Sequence, residues 1–316
     1  MESWERNVWA LALVVFIAFV GFQFFSPFLP LYVIELGVTE PTRVALWSGV
    51  LTAVTPAVSG LLGPLWGRFA DRVGRKMMMI RSLAGFVIIV AAMGLVTSVT
   101  QLLILRLLQG VIAGFSVFAM ALASVSCPKD KVPVAIGRVQ GAQLLSVAIG
   151  PAAGGYVASH FGLRYAFFVT AGMCAIALVG LIFLFDEGRP RAVDGNAAGT
   201  RESSFTLRDV LGLRGFPLVL GLLFISQFID RGLSLLVPLK VGTLLDVSRI
   251  AATSGEIISL AAICATGSAL LAGRLAQRWP AERLLLIGLV AGGLPCALMA
   301  FTTGWQSLML FRCLTG

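Results

Sequence analysis

The chain has 316 residues, 58% of them apolar and only 12% charged, with a formal net charge of +9. Soluble domains carry about 25% charged residues, so this composition excludes a soluble enzyme and implies an all-α polytopic membrane protein. The basic excess does not imply nucleic acid as a partner, because the bases lie in short connections between apolar segments and form no patch with interleaved aromatics.

A spanning helix needs about 20 apolar residues. Ten apolar segments are read in chain order, near 8–33, 45–66, 77–97, 102–124, 134–158, 165–185, 216–239, 252–272, 284–302 and 306–316. The first is too long for a signal-peptide core and runs straight into Pro27 and Pro30. The last is too short to cross about 30 Å of hydrocarbon at about 1.5 Å per residue. The expectation is therefore a chain that stops within its tenth span.

Arg6, Arg68, Arg72, Arg75, Lys76, Arg81, Lys129, Lys131, Arg138 and the bases of 189–214 and 274–283 fall on one side of this zigzag. Only Arg43, Arg164, Lys240 and Arg249 fall on the other. Basic loops stay in the cytoplasm, which predicts an inner-membrane protein with a cytoplasmic N-terminus. The polar stretch near 189–214, rich in Gly, Ala, Ser and Arg, reads as a flexible linker between a bundle at 1–188 and a second one at 215–316. Ser203, Ser204 and Thr206 within it read as solvated linker residues.

Cys127, Cys174, Cys264, Cys296 and Cys313 form no C-x-x-C pair and have no metal-binding spacing to the single His160. They read as small apolar filler, and neither metal nor cofactor is expected. There is no G-x-x-x-x-G-K-[ST] loop for an ATP-driven exporter and no context for a hydrolytic triad.

An internal repeat sets the architecture. Gly67-Arg68-Phe69-Ala70-Asp71-Arg72 aligns with Gly273-Arg274-Leu275-Ala276-Gln277-Arg278, Ser48-Gly49 with Ser254-Gly255, and the octapeptide Leu103 to Gly110 with Met309 to Gly316, all at one offset. Pro30-Leu31-Tyr32-Val33 matches Pro238-Leu239-Lys240-Val241 two residues out of step. An even number of spans between copies makes the repeats parallel. Continuing the offset predicts about 75 further residues, holding most of the tenth span and all of an eleventh and twelfth.

Four motifs carry the chemistry. Gly21-x5-Pro27-x2-Pro30 bends the first span. The block Gly67-x3-Asp71-Arg72-x-Gly74-Arg75-Lys76 sits between spans two and three, where Gly67 and Gly74 suit tight turns and Asp71 serves no purpose the turn itself requires. Arg106 lies inside the fourth span within Leu105-Arg106-Leu107-Leu108-Gln109-Gly110-x3-Gly114, where a buried base is costly unless it faces a cavity or snorkels to the headgroups. In the fifth span, Gly137-x8-Ser146-x3-Gly150-Pro151-x2-Gly154-Gly155 gives a smooth small-residue face with a proline kink.

Together these motifs resemble the major facilitator superfamily, and within it bacterial multidrug exporters of the twelve-helix drug:proton antiporter family. The resemblance implies two parallel six-helix bundles, the second incomplete and holding helices seven to nine and the start of ten. It implies a monomeric transporter in the bilayer, coupling protons to export of small apolar or amphipathic compounds. A transporter of another metabolite, a non-transporting scaffold or sensor, and an inactive fragment are the alternatives. It implies a latch of Gly67, Asp71, Arg72, Gly74 and Arg75, with Asp71 facing the eleventh helix and Arg75 paired to Asp130. Gln277 stands where the second copy would need Asp71's counterpart. Spans one, four, seven and ten would line the cavity, placing Gln23, Pro27, Pro30, Gln109, Arg231 and Arg312 there, with Arg106, Asp230 and Glu256 as proton-coupling candidates. Asp230 and Arg231 sit mid-span in the seventh helix, so each needs a partner elsewhere, Arg106 or Arg312 in the case of Asp230.

Overall fold

A computed structural model describes residues 3–185, 216–245, 247–275 and 279–315. The linker expected at 189–214 and Gln277 lie outside the described residues. Among the described residues all regular structure is helical, and nine segments are long and apolar enough to cross a membrane.

The first span is α1 (Ser3–Phe25), a 3₁₀ turn (Ser26–Phe28) and α2 (Leu29–Glu35). The break falls where Pro27 and Pro30 withhold the amide protons that the Gln23 and Ser26 carbonyls would accept in a continuous helix. The second span, α3 (Pro41–Val73), runs past its apolar stretch and absorbs half of the basic block. Only Gly74 makes the turn into α4 (Arg75–Met93), with φ +99 and its N–H on the Ala70 carbonyl at 2.9 Å. Gly67, expected at a turn or a close approach, is instead helical, and a methyl group there would meet nothing within 4 Å.

The fourth span is not one helix. It divides into α5 (Val99–Ile112) and α6 (Phe115–Val125) at Ala113 and Gly114, the glycine at φ +124. The fifth and sixth spans, α7 (Val132–Phe161) and α8 (Leu163–Leu184), are joined by Gly162 at φ +94. After the linker come α9 (Phe216–Gly242), α10 (Val247–Leu275), α11 (Ala281–Leu298) with a 3₁₀ turn (Met299–Phe301), and α12 (Trp305–Thr315).

Two apolar cores fill the first bundle. One, around Leu11, Met79, Leu83, Leu122, Val139 and Leu181, lies toward the end that carries the basic turns. The other, around Phe25, Tyr32, Leu51, Met93, Leu102 and Phe167, lies toward the far end. There Tyr32 donates its hydroxyl to the Met93 carbonyl at 2.8 Å. A third core of Val237, Val241, Ile257, Met299 and Leu308 joins α9, α10 and α12. A small fourth cluster of Phe28, Ala158 and Ala251 ties the two halves together.

The most extensive helix pair is α7 with α10, which joins the halves. A side chain at Gly155 would strike the Ala251 carbonyl, and one at Gly255 would strike the Pro151 carbonyl. The same stretch of α7 meets α1 on its other side, with Gly150 against Gln23 and Gly154 against the Phe24 backbone. The Ala152 N–H donates to Ser259 Oγ across the α7–α10 seam at 2.9 Å. Lipid tails are as apolar as leucine, so helices in a membrane associate by such close packing and by interhelical bonds. The contact belongs to the far half of the pair, because side chains at Gly137, Gly141 and Gly267 would meet nothing within 4 Å.

Gly155→Val should therefore destabilise the protein by about 1–3 kcal/mol, the usual cost of overpacking. Gly141→Val, over open space, should stay within about 0.5 kcal/mol of wild type. Reversible denaturation in detergent micelles measures both, and equal effects at the two sites would show that the seam is not tightly packed.

Candidate functional site

The basic block is built from the end of α3 and the start of α4. Asp71 and Arg72 are exposed, and neither has a hydrogen bond or ion pair among the described residues. Asp71 sits in the last turn of α3, the end where the helix dipole disfavours an acid. Local helix stability thus gives no reason for a carboxylate there.

The expected Arg75–Asp130 pair does not form. Arg75 donates Nη1 to the Ala121 carbonyl of α6 at 3.1 Å, and Asp130 pairs with neighbouring Lys131 at 3.3 Å. The Ala121 carbonyl lies near the C-terminal end of α6 and also accepts from Ser124 Oγ at 2.8 Å, and a cation at a helix C-terminus is favoured by the dipole.

Three residues missed by sequence reasoning serve the break between α5 and α6. Arg81 donates to Ile112 O at 3.3 Å, Ser82 to Ile112 O at 3.0 Å and Trp66 Nε1 to Val111 O at 2.7 Å. The Arg81 guanidinium lies 3.7 Å from the Trp66 ring centroid. Lys76 caps the end of α8 at the Phe185 carbonyl, 2.6 Å away. The signal available in the sequence was Arg81 itself, a base set inside the third apolar stretch.

Charged groups inside the spans form two unlike sites. In the second half Arg312 Nη2 donates to Asp230 Oδ1 at 2.7 Å and to Ser234 Oγ at 3.4 Å. Of the two arginines considered for Asp230, Arg312 is the one placed against it. The Arg312 side chain is 7% exposed and that of Asp230 55% exposed, so the acid reaches open space while the base does not. In the first half Arg106 is buried and does not snorkel; it donates Nη1 to Gln109 Oε1 at 3.1 Å. Arg231 and Glu256 are exposed, without an ion pair among the described residues. Gln23 is half-buried with its Cβ under Gly150, and Pro27 and Pro30 are buried in the break of the first span. Ser146 is buried in α7 and turns its hydroxyl onto the Gln143 carbonyl.

At the far end a cavity of about 770 Å³ opens between the halves, walled by Leu31, Ile34, Val44, Leu163, Leu239 and Ile250 among others. Glu35 lines it and pairs with Arg164 at 3.2 Å. Among the described residues no cluster of His, Cys, Asp or Glu could hold a metal ion.

Removing either partner of the Asp230–Arg312 pair should destabilise the second half. Asp230→Ala, Arg312→Met and the double variant, compared by denaturation in micelles, should show a coupling energy of about 0.5–3 kcal/mol. Strict additivity would mean that the two side chains are near but not interacting.

Comparison with known proteins places this geometry. Residues 11–316 match the Major Facilitator Superfamily. A relative from Salmonella dublin, "Multidrug resistance protein MdtG", is 35% identical over 320 residues, covering 99% of this chain and 77% of its own length. The protein of that name from Klebsiella pneumoniae is 33% identical over 318 residues, covering 99% and 76%. Among solved structures, a bacterial homologue of the human lysosomal transporter Spinster, inward-facing and unoccupied, superposes with a TM-score of 0.77 at 17% identity, over 100% of this chain and 72% of that one. A D-xylose–proton symporter superposes at 0.67 with 14% identity, over 98% and 79%. With a family match over nearly its whole length and the same helical arrangement, the chain belongs to the Major Facilitator Superfamily.

Proposed function

We propose that the chain exports small, largely apolar or amphipathic compounds, drugs among them, in exchange for protons. The observation that carries this reading is the Gly150-Pro151-x-x-Gly154-Gly155 wedge of α7, seated between α1 and α10, in a chain so similar to relatives named for multidrug resistance. On this reading the protein is a monomer in the inner membrane, with its N-terminus and basic turns in the cytoplasm.

The halves touch at the far end through α7 and α10. Alternating access rocks one bundle against the other about this seam, exposing Gln23, Gln109, Arg231 and Arg312 to each side in turn. The exposed block of Gly67, Asp71, Arg72, Gly74 and Arg75 latches the cytoplasmic side when it closes. An acid on the disfavoured end of α3, without a local partner, suits a contact made only in that closed state.

Asp230 is the proton carrier in this scheme, with Glu256 and Arg106 in supporting roles. Its side chain is about half exposed and bonded to a buried guanidinium. Protonation removes the negative charge, weakens the bond to Arg312 and frees α9 and α12 to shift. Each charge that crosses contributes about 2.3 kcal/mol per 100 mV.

Cells producing the protein should retain less of a fluorescent apolar compound, and a protonophore should restore accumulation. Efflux that ignores the protonophore would sink proton coupling, and no efflux would sink export. Asp71→Asn should slow efflux at least tenfold at equal membrane insertion; unchanged efflux would leave Asp71 a topological role only. Substrate-induced proton release should fall at least fivefold in Asp230→Asn, and release of normal size would move the carrier to Glu256.

A further inference from the structure

The second half carries a pair of thiols that the first half lacks. Cys264 of α10 and Cys313 of α12 are both half-buried, and their side chains lie near enough for one thiol to hydrogen-bond the other. The fold brings them together. α10 and α12 run in the same direction, with the span of α11 between them in sequence. Ile257 and Ile258 of α10 share a core with Leu308 of α12. From Ile257 to Cys264 and from Leu308 to Cys313 the rises are similar, about 10 and 8 Å at about 1.5 Å per residue. Both thiols therefore stand at one level.

The repeat gives an independent view of the same contact. Cys264 corresponds to Val58 and Cys313 to Leu107. In the first half a methyl group on Gly110, one turn beyond Leu107, would come within 2.8 Å of Val58 Cβ. This position of α3 thus faces α5, as that of α10 faces α12. Valine and leucine fill it in one copy, and two thiols fill it in the other.

Two sulfurs, with no third ligand beside them among the described residues, suit a two-point attachment and not a metal cage. A soft metal ion would need both thiols as thiolates, and making two charges inside a span is costly. A trivalent organoarsenical, written RAs(OH)2 with an apolar R, needs neither charge nor oxidant. Its two As–O bonds and the two S–H bonds break, two As–S bonds form, and the hydroxyls leave with the thiol protons as two waters. Arsenic keeps its oxidation state, and neutral reactants give a neutral product. The second attachment is intramolecular, which raises affinity by about 10²–10⁴.

We propose that Cys264 and Cys313 form a capture site for trivalent arsenicals with an apolar body, which enter from the bilayer and bridge α10 to α12. The bridge ties the helix that carries Gly255 of the seam to the helix that carries Arg312 of the ion pair. The site stands apart from the export reading, and its test does not depend on transport.

The probe is phenylarsine oxide, added to the reduced full chain in nanodiscs. One equivalent should shield two of the five cysteines from a maleimide, and ethanedithiol should restore them. Digestion and mass spectrometry of the wild type should find arsenic joining the Cys264 peptide to the Cys313 peptide. Cys264→Ala and Cys313→Ala should each weaken binding about a hundredfold, whereas Cys296→Ala should leave it unchanged. A bridge through any other cysteine, no shielding at one equivalent, or full binding in the Cys264 or Cys313 variant overturns the assignment. The bridge is mapped in the wild type, so that measurement decides the assignment even where a variant fails to fold.

Discussion

The structure depends on one close approach, backbone to backbone, between α7 and α10. Gly155 admits the Ala251 carbonyl and Gly255 admits the Pro151 carbonyl, each glycine serving the other helix. Among the described residues no ion pair crosses this seam, and a polar link across it runs from Ala152 N–H to Ser259 Oγ. A contact made of fitted surfaces and one modest hydrogen bond, about 0.6 kcal/mol on average in membranes, holds the halves in register without locking them. The proline that kinks α7 lies inside the contact, so a change in the bend moves the seam itself.

The second governing constraint is that a bilayer offers no water to an unpaired backbone group. The first span breaks at its prolines, and the fourth breaks at Gly114. The fourth span's freed carbonyls are met by Arg81, Ser82 and Trp66 from helices three and two. Arg75 and Lys76, read from sequence as topogenic charges, also bond the carbonyls of neighbouring helix ends. Positive side chains at helix C-termini are favoured by the dipole as well. Bases expected from sequence to set orientation thus stitch helix ends in the folded state.

These two constraints explain what could be read in advance. Spans, their number and the repeat follow from apolar run length and from identity at one offset, which tertiary context does not alter. The small-residue face of α7 was also legible, because glycines three and four apart have little other use. The break between α5 and α6 was not, since Ala113 and Gly114 interrupt no hydrophobic run and only the backbone angle of Gly114 reveals it. The partner of Arg75 was hidden for another reason: an acid is visible in a sequence, whereas a backbone carbonyl near a helix end is not. Gly67 misled for a related reason, as helical α3 continues through polar sequence once it leaves the hydrocarbon.

The repeat carries its own lesson about division of labour. Duplication gave both halves an arginine at the same height, held by the residue three positions later. The first helix of each half then diverged, to an acid at Asp230 and to aromatics at Phe22, Phe24 and Phe25. A buried cation with a built-in counter-ion has its charge balanced within its own half. The Arg106 cation instead lies over the Phe25 ring, with its Nη1 on Gln109 of its own helix. Two copies of one fold therefore hold two unlike charge sites, one paired between helices and one bonded only within its own helix.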